Sequence, residues 1–154
     1  MTNLNPSWIK PLPVIPKSLV LIFLLLALLG FLDAAYLTIG HYQNTEVYCP
    51  ITGQCETVLN SRYAAIGGVP VALLGAVYYL ALLILTLIYL DSGRINALRL
   101  AIALTWAGFT ASLVFVWLQL FVINAICFYC MVSATTSTLL FILGLILFKK
   151  LKAS

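Results

Sequence analysis

The chain has 154 residues, 64% of them hydrophobic and 8% charged, with a net charge of +4. A water-soluble globule has too few polar groups here to cover its surface, so composition excludes it and points to a membrane protein. The positive charge does not form a nucleic-acid patch, because it is scattered at the ends of apolar runs.

Four runs are long enough to cross a bilayer as helices, at about 20 residues each. They cover 18–40, 68–90, 97–122 and 126–148. None alternates as a barrel strand does. The sequence thus predicts an all-α fold, a polytopic four-helix membrane bundle forming one domain over 1–154. The first run follows Lys10 and Lys17 and precedes the small residues Ala34 and Ala35, as a secretory signal does. At about 23 apolar residues it is longer than a signal core, and is expected to remain as a span.

Asp33 is the one acid well inside a span, on a face with Gly30, Ala34 and Leu37. Ionisable groups are costly at that depth and usually functional, so Asp33 is a candidate for proton handling beside a ligand, against a helix-to-helix hydrogen bond. His41, nearer the interface, reads as a surface anchor or a proton relay.

Between the first two spans lies YCPITGQCETVLNSRYAAIGG, with Cys49 and Cys55. Cys55, Val58, Leu59, Arg62 and Ile66 recur at spacings of three and four, which predicts a short amphipathic helix of a little over two turns. Gly67 and Gly68 suit its end, and Pro70 suits the start of the second span. On this reading Cys55 is held at the mouth of the bundle while Cys49 stays on a mobile segment.

Arg94 and Arg99 flank the turn between the second and third spans, and Lys149, Lys150 and Lys152 follow the fourth. Only Arg62 lies in the other loops, so the positive-inside rule predicts both termini in the cytoplasm. The cysteines then face outward, toward a periplasm if the membrane is a bacterial inner membrane, where disulfides persist. Ala103, Ala107 and Ala111, with Ser133, Ser137 and Gly144 on the fourth span, read as small-residue packing seams. Tyr78, Tyr79, Trp106 and Trp117 read as core or interface aromatics. Gln119 reads as a packing hydrogen bond or a donor to a ligand oxygen.

The fourth span opens with Cys127-Phe-Tyr-Cys130. All four cysteines therefore gather on one membrane face, as C-x5-C and C-x2-C pairs. Two structural disulfides, a tetrathiolate zinc site and a redox relay each fit that set. The relay has a chemical rationale at the helix start. Unpaired N–H groups and the helix dipole stabilise a thiolate there, the species that attacks disulfides. Cys130 lies about 4.5 Å deeper along the axis than Cys127. In such a relay a dithiol partner attacks Cys49, the released Cys55 attacks Cys127, and two electrons reach Cys130 beside a lipid-soluble acceptor, for which a quinone is the natural candidate.

The order of the motifs carries a family resemblance. Two loop cysteines, the stretch CETVLNSRYAAIGGVPVALLG from Cys55 to Gly75, a C-x-x-C opening the fourth span and GFLDAAYLT in the first resemble the bacterial disulfide-forming branch of the vitamin K epoxide reductase family. The other bacterial quinone-linked disulfide generator carries its pairs in the reverse order. The resemblance covers the four-helix core. It implies a quinone of ubiquinone, menaquinone or phylloquinone type, Cys127 and Cys130 as the active-site pair, Cys49 and Cys55 as the shuttle pair, and Ser61 beside the active site. Many bacterial members append a fifth span and a thioredoxin-like domain. This sequence ends at LKAS, so a thioredoxin-fold dithiol partner is expected in trans, unless the chain is a fragment. Vertebrate members carry a tyrosine shortly after the C-x-x-C where this chain has MVSATT, which favours plain quinone reduction over epoxide reduction. A non-enzymatic tetraspan protein with structural disulfides is the alternative from another class.

Overall fold

The computed structural model describes residues 15–43, 47–49, 51 and 53–153; Lys10, Pro50 and Thr52 lie outside them. Among the described residues four helices are long and apolar enough to cross a membrane, and the chain is an integral membrane protein. They are α1 (Lys17–Gln43), α3 (Val71–Ser92), α4 (Ile95–Leu118) and α5 (Phe128–Ala153), with the short α2 (Cys55–Leu59) between the first two. The long helices close a ring in which α1 packs on α3, α3 on α4, α4 on α5 and α5 back on α1.

The seam of α1 follows from its sequence. Val20, Phe23, Ala27, Gly30, Ala34 and Leu37 are buried, alternating steps of three and four as in helices that cross at a shallow angle. Leu21, Leu25, Leu29, Leu32 and Ile39 point outward, half or so exposed, which in a bilayer is lipid contact. Gly30 is required by a neighbour: a Cβ there would run into the ring of Tyr79 on α3. Tyr79 cannot swing aside freely, because its hydroxyl bonds the Ser133 carbonyl on α5 at 2.9 Å. One small residue thus lets α1, α3 and α5 meet.

The small-residue seam expected on α4 is displaced. Its buried face is Leu98, Ala101, Ile102 and Thr105, while Ala103 is exposed and Ala107 and Ala111 line a cavity. Gly144 on α5 does pack closely, its would-be Cβ lying 3.0 Å from Thr105 Oγ1.

The loop helix is shorter than its spacing predicts. α2 ends at Leu59, and Arg62 and Ile66 are exposed. Ile66 belongs instead to a two-strand ribbon, β1 (Ala65–Ile66) against β2 (Val69–Pro70), with Ile66 opposite Val69. Gly67 and Gly68 form its turn, both at positive φ (60° and 84°), the conformation a tight two-residue hairpin demands. They stop no helix; they reverse the chain so that Pro70 delivers it into α3. At the other end of α3, Gly93 takes φ 62° and its N–H caps the Tyr89 carbonyl at 2.9 Å.

The α4–α5 junction is irregular. α4 runs into a π-helical turn, Gln119–Ile123, closed by Asn124 at φ 53°, the one non-glycine positive φ among the described residues. The wider turn rotates the chain before it re-enters as α5, and such turns are frequent near functional sites.

Candidate active site

The Cys-x-x-Cys sits where helix geometry predicts. Cys127 stands immediately before α5, and its carbonyl accepts the first helical bond, from Met131 N–H at 3.1 Å. Cys130 falls within the first turn. Both are free thiols, whereas Cys49 and Cys55 form a disulfide with Cα atoms 5.9 Å apart. A tetrathiolate site needs four thiolates, and two of these sulfurs are already bonded to each other; two structural bridges need a second bond, and Cys127 and Cys130 are not joined.

The two pairs share one small core. Cys55 and Cys127 are both 0% exposed and pack together with Val58 and Ala125, with Cys49 and Cys130 at the edge of the same cluster. Hydrogen bonds from residues beside each pair fasten them. The Gln54 side chain, next to Cys55, accepts from Ile126 N–H at 3.3 Å. Tyr129, inside the Cys-x-x-Cys, donates to the Tyr48 carbonyl next to Cys49 at 3.0 Å. Gln119 does most: its backbone carbonyl accepts from Ala125 N–H at 3.2 Å, and its buried Oε1 accepts from Cys127 N–H at 2.9 Å. Gln119 is therefore the anchor of the loop before α5, by the packing reading of its side chain.

The Cys127 thiol is drawn down from its ordinary value to about 7. A hydrogen bond from the Cys130 thiol is the main cause; the backbone N–H groups of Cys130 and Tyr129 add to it, against burial, which acts the other way. The helix start thus supplies donors as predicted, with the partner cysteine the larger contributor.

A cavity of about 450 Å³ opens among the four long helices, with the 58–66 loop across one end. Cys130 lines it, and Cys127 stays in the shared cysteine core. Most of the lining is apolar, with few polar groups, the character of a small-molecule site. Asp33 reaches it from α1 with Oδ2 buried and unpartnered. Ser61 lines it too, its hydroxyl donating to the Val58 carbonyl at 2.7 Å, so it belongs to the loop wall. His41 also lines this space while remaining exposed. The four cysteines thus gather in one cluster, and Cys130, Asp33, Ser61, His41 and Gln119 line the adjoining cavity.

The family model described as the vitamin K epoxide reductase family matches residues 21–145, from within α1 to within α5. The chain belongs to the vitamin K epoxide reductase family. It is also 35% identical over 122 residues to the thiol-disulfide oxidoreductase LTO1 of Arabidopsis thaliana, covering 73% of this chain and 32% of that protein. The chain thus spans about a third of the length of this curated relative. The family match includes all four cysteines, Asp33 and Ser61, so the cluster and its cavity fall within the family's own domain rather than in an extension of it.

Proposed function

We propose that this chain is a quinone-linked thiol oxidoreductase that reoxidises a thioredoxin-fold dithiol protein acting in trans and so drives disulfide formation. One observation carries it: a disulfide and a dithiol share a buried cluster, and the dithiol's inner cysteine lines an apolar cavity. The kinship with a protein named a thiol-disulfide oxidoreductase supports the same reading.

The thiol chemistry closes on the arrangement described. A partner thiolate attacks Cys49, breaking its bond to Cys55, and the partner's second thiol resolves that mixed disulfide, leaving Cys49 and Cys55 reduced. Cys55 then attacks Cys127 in an oxidised Cys127–Cys130 pair and releases Cys130. Attack of Cys49 on Cys55 restores the Cys49–Cys55 disulfide and expels Cys127 as a thiolate, a leaving group favoured by its lowered affinity for protons. The result is the state described above, shuttle pair oxidised and active pair reduced.

A quinone bound in the cavity supplies the acceptor for the two electrons and two protons of the Cys127–Cys130 dithiol. Volume, apolar walls and the unpartnered Asp33 oxygen all fit such a ring. Cys130 and Ser61 border it, and the buried Asp33 carboxyl beside it supports a proton-carrying role. Helix direction supports the orientation: Lys17, Arg94, Lys149, Lys150 and Lys152 lie at the end opposite the cysteines, so the cysteine end faces away from the cytoplasm.

Anaerobic quinone reduction by the purified protein, with a reduced thioredoxin-fold donor, tests this. Wild type is expected to turn over, and Cys49→Ala and Cys130→Ala to lose turnover together. Undiminished reduction in either variant overturns the relay.

A further inference from the structure

Asp33 stands at the floor of the cavity. On α1 the lining descends one face from His41 through Leu37 and Ala34 to Asp33, about 12 Å along the axis. On the other long helices it stops at Tyr79, Ala107 and Ser137. Toward the lysine-bearing end come Phe23, Ala27, Leu82, Leu98, Leu140 and Leu147, all 0% exposed and packed as one core. Thr86 and Thr105 are buried in the same region, but each donates to a carbonyl of its own helix, Leu82 at 2.7 Å and Ile102 at 2.6 Å, and offers no polar step across it. At the opposite end the lining includes the exposed side chains of His41 and Tyr63. The space around Asp33 thus opens toward the cysteine face and is closed toward the other.

Proton bookkeeping gives that asymmetry a use. Reduction of a quinone to its quinol consumes two electrons and two protons. The Cys127–Cys130 pair yields both electrons when its disulfide forms, but it does not bring both protons. The relay expels Cys127 as a thiolate, and a thiol titrating at about 7 stays half ionised at pH 7 and more so above it, so only Cys130 carries a proton reliably. A second group at the cavity has to supply the other. Among the described residues the acid lining it is Asp33, whose Oδ2 is buried without a hydrogen-bond partner. Apolar walls that offer a carboxylate no donor favour the acid form, which a proton donor needs. Asp33 also lies near enough to Cys127 for charge on one to be felt by the other.

We propose that Asp33 supplies one of the two protons of quinone reduction and recovers it from the cysteine face, so that no net charge crosses the membrane in a turnover. This rests on the quinone-linked reading above and adds the source of the proton and the side it is drawn from. The step balances. Cys127 thiolate, Cys130 thiol, the oxidised ring and the Asp33 acid give the Cys127–Cys130 disulfide, the quinol and the Asp33 carboxylate. One S–S bond forms, the Cys130 S–H and Asp33 O–H bonds break, and two O–H bonds form on the ring. Asp33 is then reprotonated by water entering past His41, on the side where Cys127 left its own proton.

The test places the full chain in phosphatidylcholine vesicles with ubiquinone-10, a trapped pH dye and a potential-sensitive dye. A reduced thioredoxin-fold donor added outside reaches only molecules whose cysteine face is outward. Wild type is expected to reduce the quinone with no rise in interior pH and no membrane potential. Asp33→Asn is expected to slow quinone reduction by about a hundredfold, the usual weight of a positioned acid, and Asp33→Glu to recover part of it. Two readouts do not depend on turnover. The infrared carboxylic-acid band is expected in wild type and absent in Asp33→Asn. Fully disulfide-bonded protein mixed with donor in the absence of quinone is expected to oxidise the donor equally fast in wild type and Asp33→Asn, which shows fold and thiol relay intact. Undiminished quinone reduction in Asp33→Asn, or loss of its quinone-free donor oxidation, overturns the donor role. Interior alkalinisation by one proton per quinol overturns the outer-face route. A wild type that oxidises the donor but reduces no quinone overturns the quinone reading and this proposal together, leaving the thiol exchange standing.

Discussion

The two cysteine pairs occupy one cluster but are built differently. Cys49 and Cys55 are bonded across a loop, and Cys55 opens a one-turn helix; Cys49 is partly exposed. Cys127 and Cys130 are thiols, one just before and one in the first turn of a 26-residue helix, and Cys130 lines an apolar cavity. The difference separates two environments: one pair is reachable from water, the other from within the bundle. Cys55 and Cys127 share the buried cluster where the pairs meet, so in the proposed relay electrons that enter at Cys49 pass inward through it.

Removing a sulfur from either pair breaks that route outright and is the largest effect expected. Cys130→Ala leaves Cys127 without its partner, so its thiolate attacks Cys55 and a Cys55–Cys127 disulfide accumulates, visible by mapping under non-reducing conditions. Cys49→Ala instead leaves Cys55 unbonded and gives no crosslink to a partner dithiol.

Protonation sharpens the contrast next. A Cys127 thiol titrating at about 7 is largely thiolate at pH 8, and each unit below 7 removes about nine-tenths of that thiolate. Alkylation of Cys127 in the reduced protein with Cys130 in place is therefore expected to slow about tenfold per unit as pH drops below 7 and to level off above it. Because the Cys130 hydrogen bond is the main cause, Cys130→Ala is expected to move the midpoint up toward about 8.5, and Cys130→Ser to move it less. Thiolate absorbance, with Cys127→Ser as the blank, measures both. An unmoved midpoint in Cys130→Ala assigns the shift to the helix N–H groups instead.

Two packing substitutions follow in size. Gly30→Ala forces a methyl into the Tyr79 ring, which Ser133 holds in place, at an expected cost of about 1–3 kcal/mol. Gln119→Leu strands the buried Cys127 N–H, costing about 1–3 kcal/mol, and loosens only the active pair. Denaturant titration in detergent reads both. The first is expected to destabilise the bundle at unchanged Cys127 titration, the second to disturb that titration as well.

How far the sequence carried this picture depends on the kind of signal. The four spans were legible because each needs only a long apolar run, and Asp33 was placed in the interior by its neighbours Gly30, Ala34 and Leu37, all buried. The hairpin at Gly67–Gly68 was not, since a glycine pair serves equally as a helix stop and as a tight turn; only the pairing of Ile66 with Val69 decides. The π-helical turn left no periodicity to detect, so the double role of Gln119 stayed open. Tyr78 and Ser137 read as packing because a tyrosine and a small residue in a span usually are. The structure packs both hydroxyls against Gly108, a meeting of three helices that no single segment announces.

The smallest effect concerns the two exposed ties between the pairs. The bonds from Tyr129 to the Tyr48 carbonyl and from Ile126 N–H to Gln54 are both on the surface, where water replaces either partner. Tyr129→Phe and Gln54→Ala are thus expected to cost less than about 1 kcal/mol of stability each. Their weight lies in how often Cys55 meets Cys127, because loosening the loop lowers the effective concentration of one sulfur at the other. The expected signature is a several-fold slower formation of the Cys55–Cys127 crosslink in the Cys130→Ala background, at unchanged stability. The double variant should be slower than either single one, since the ties fasten opposite flanks of the loop. Equal rates in all three would mean that the buried core of Cys55, Val58, Ala125 and Cys127 holds the pairs together unaided.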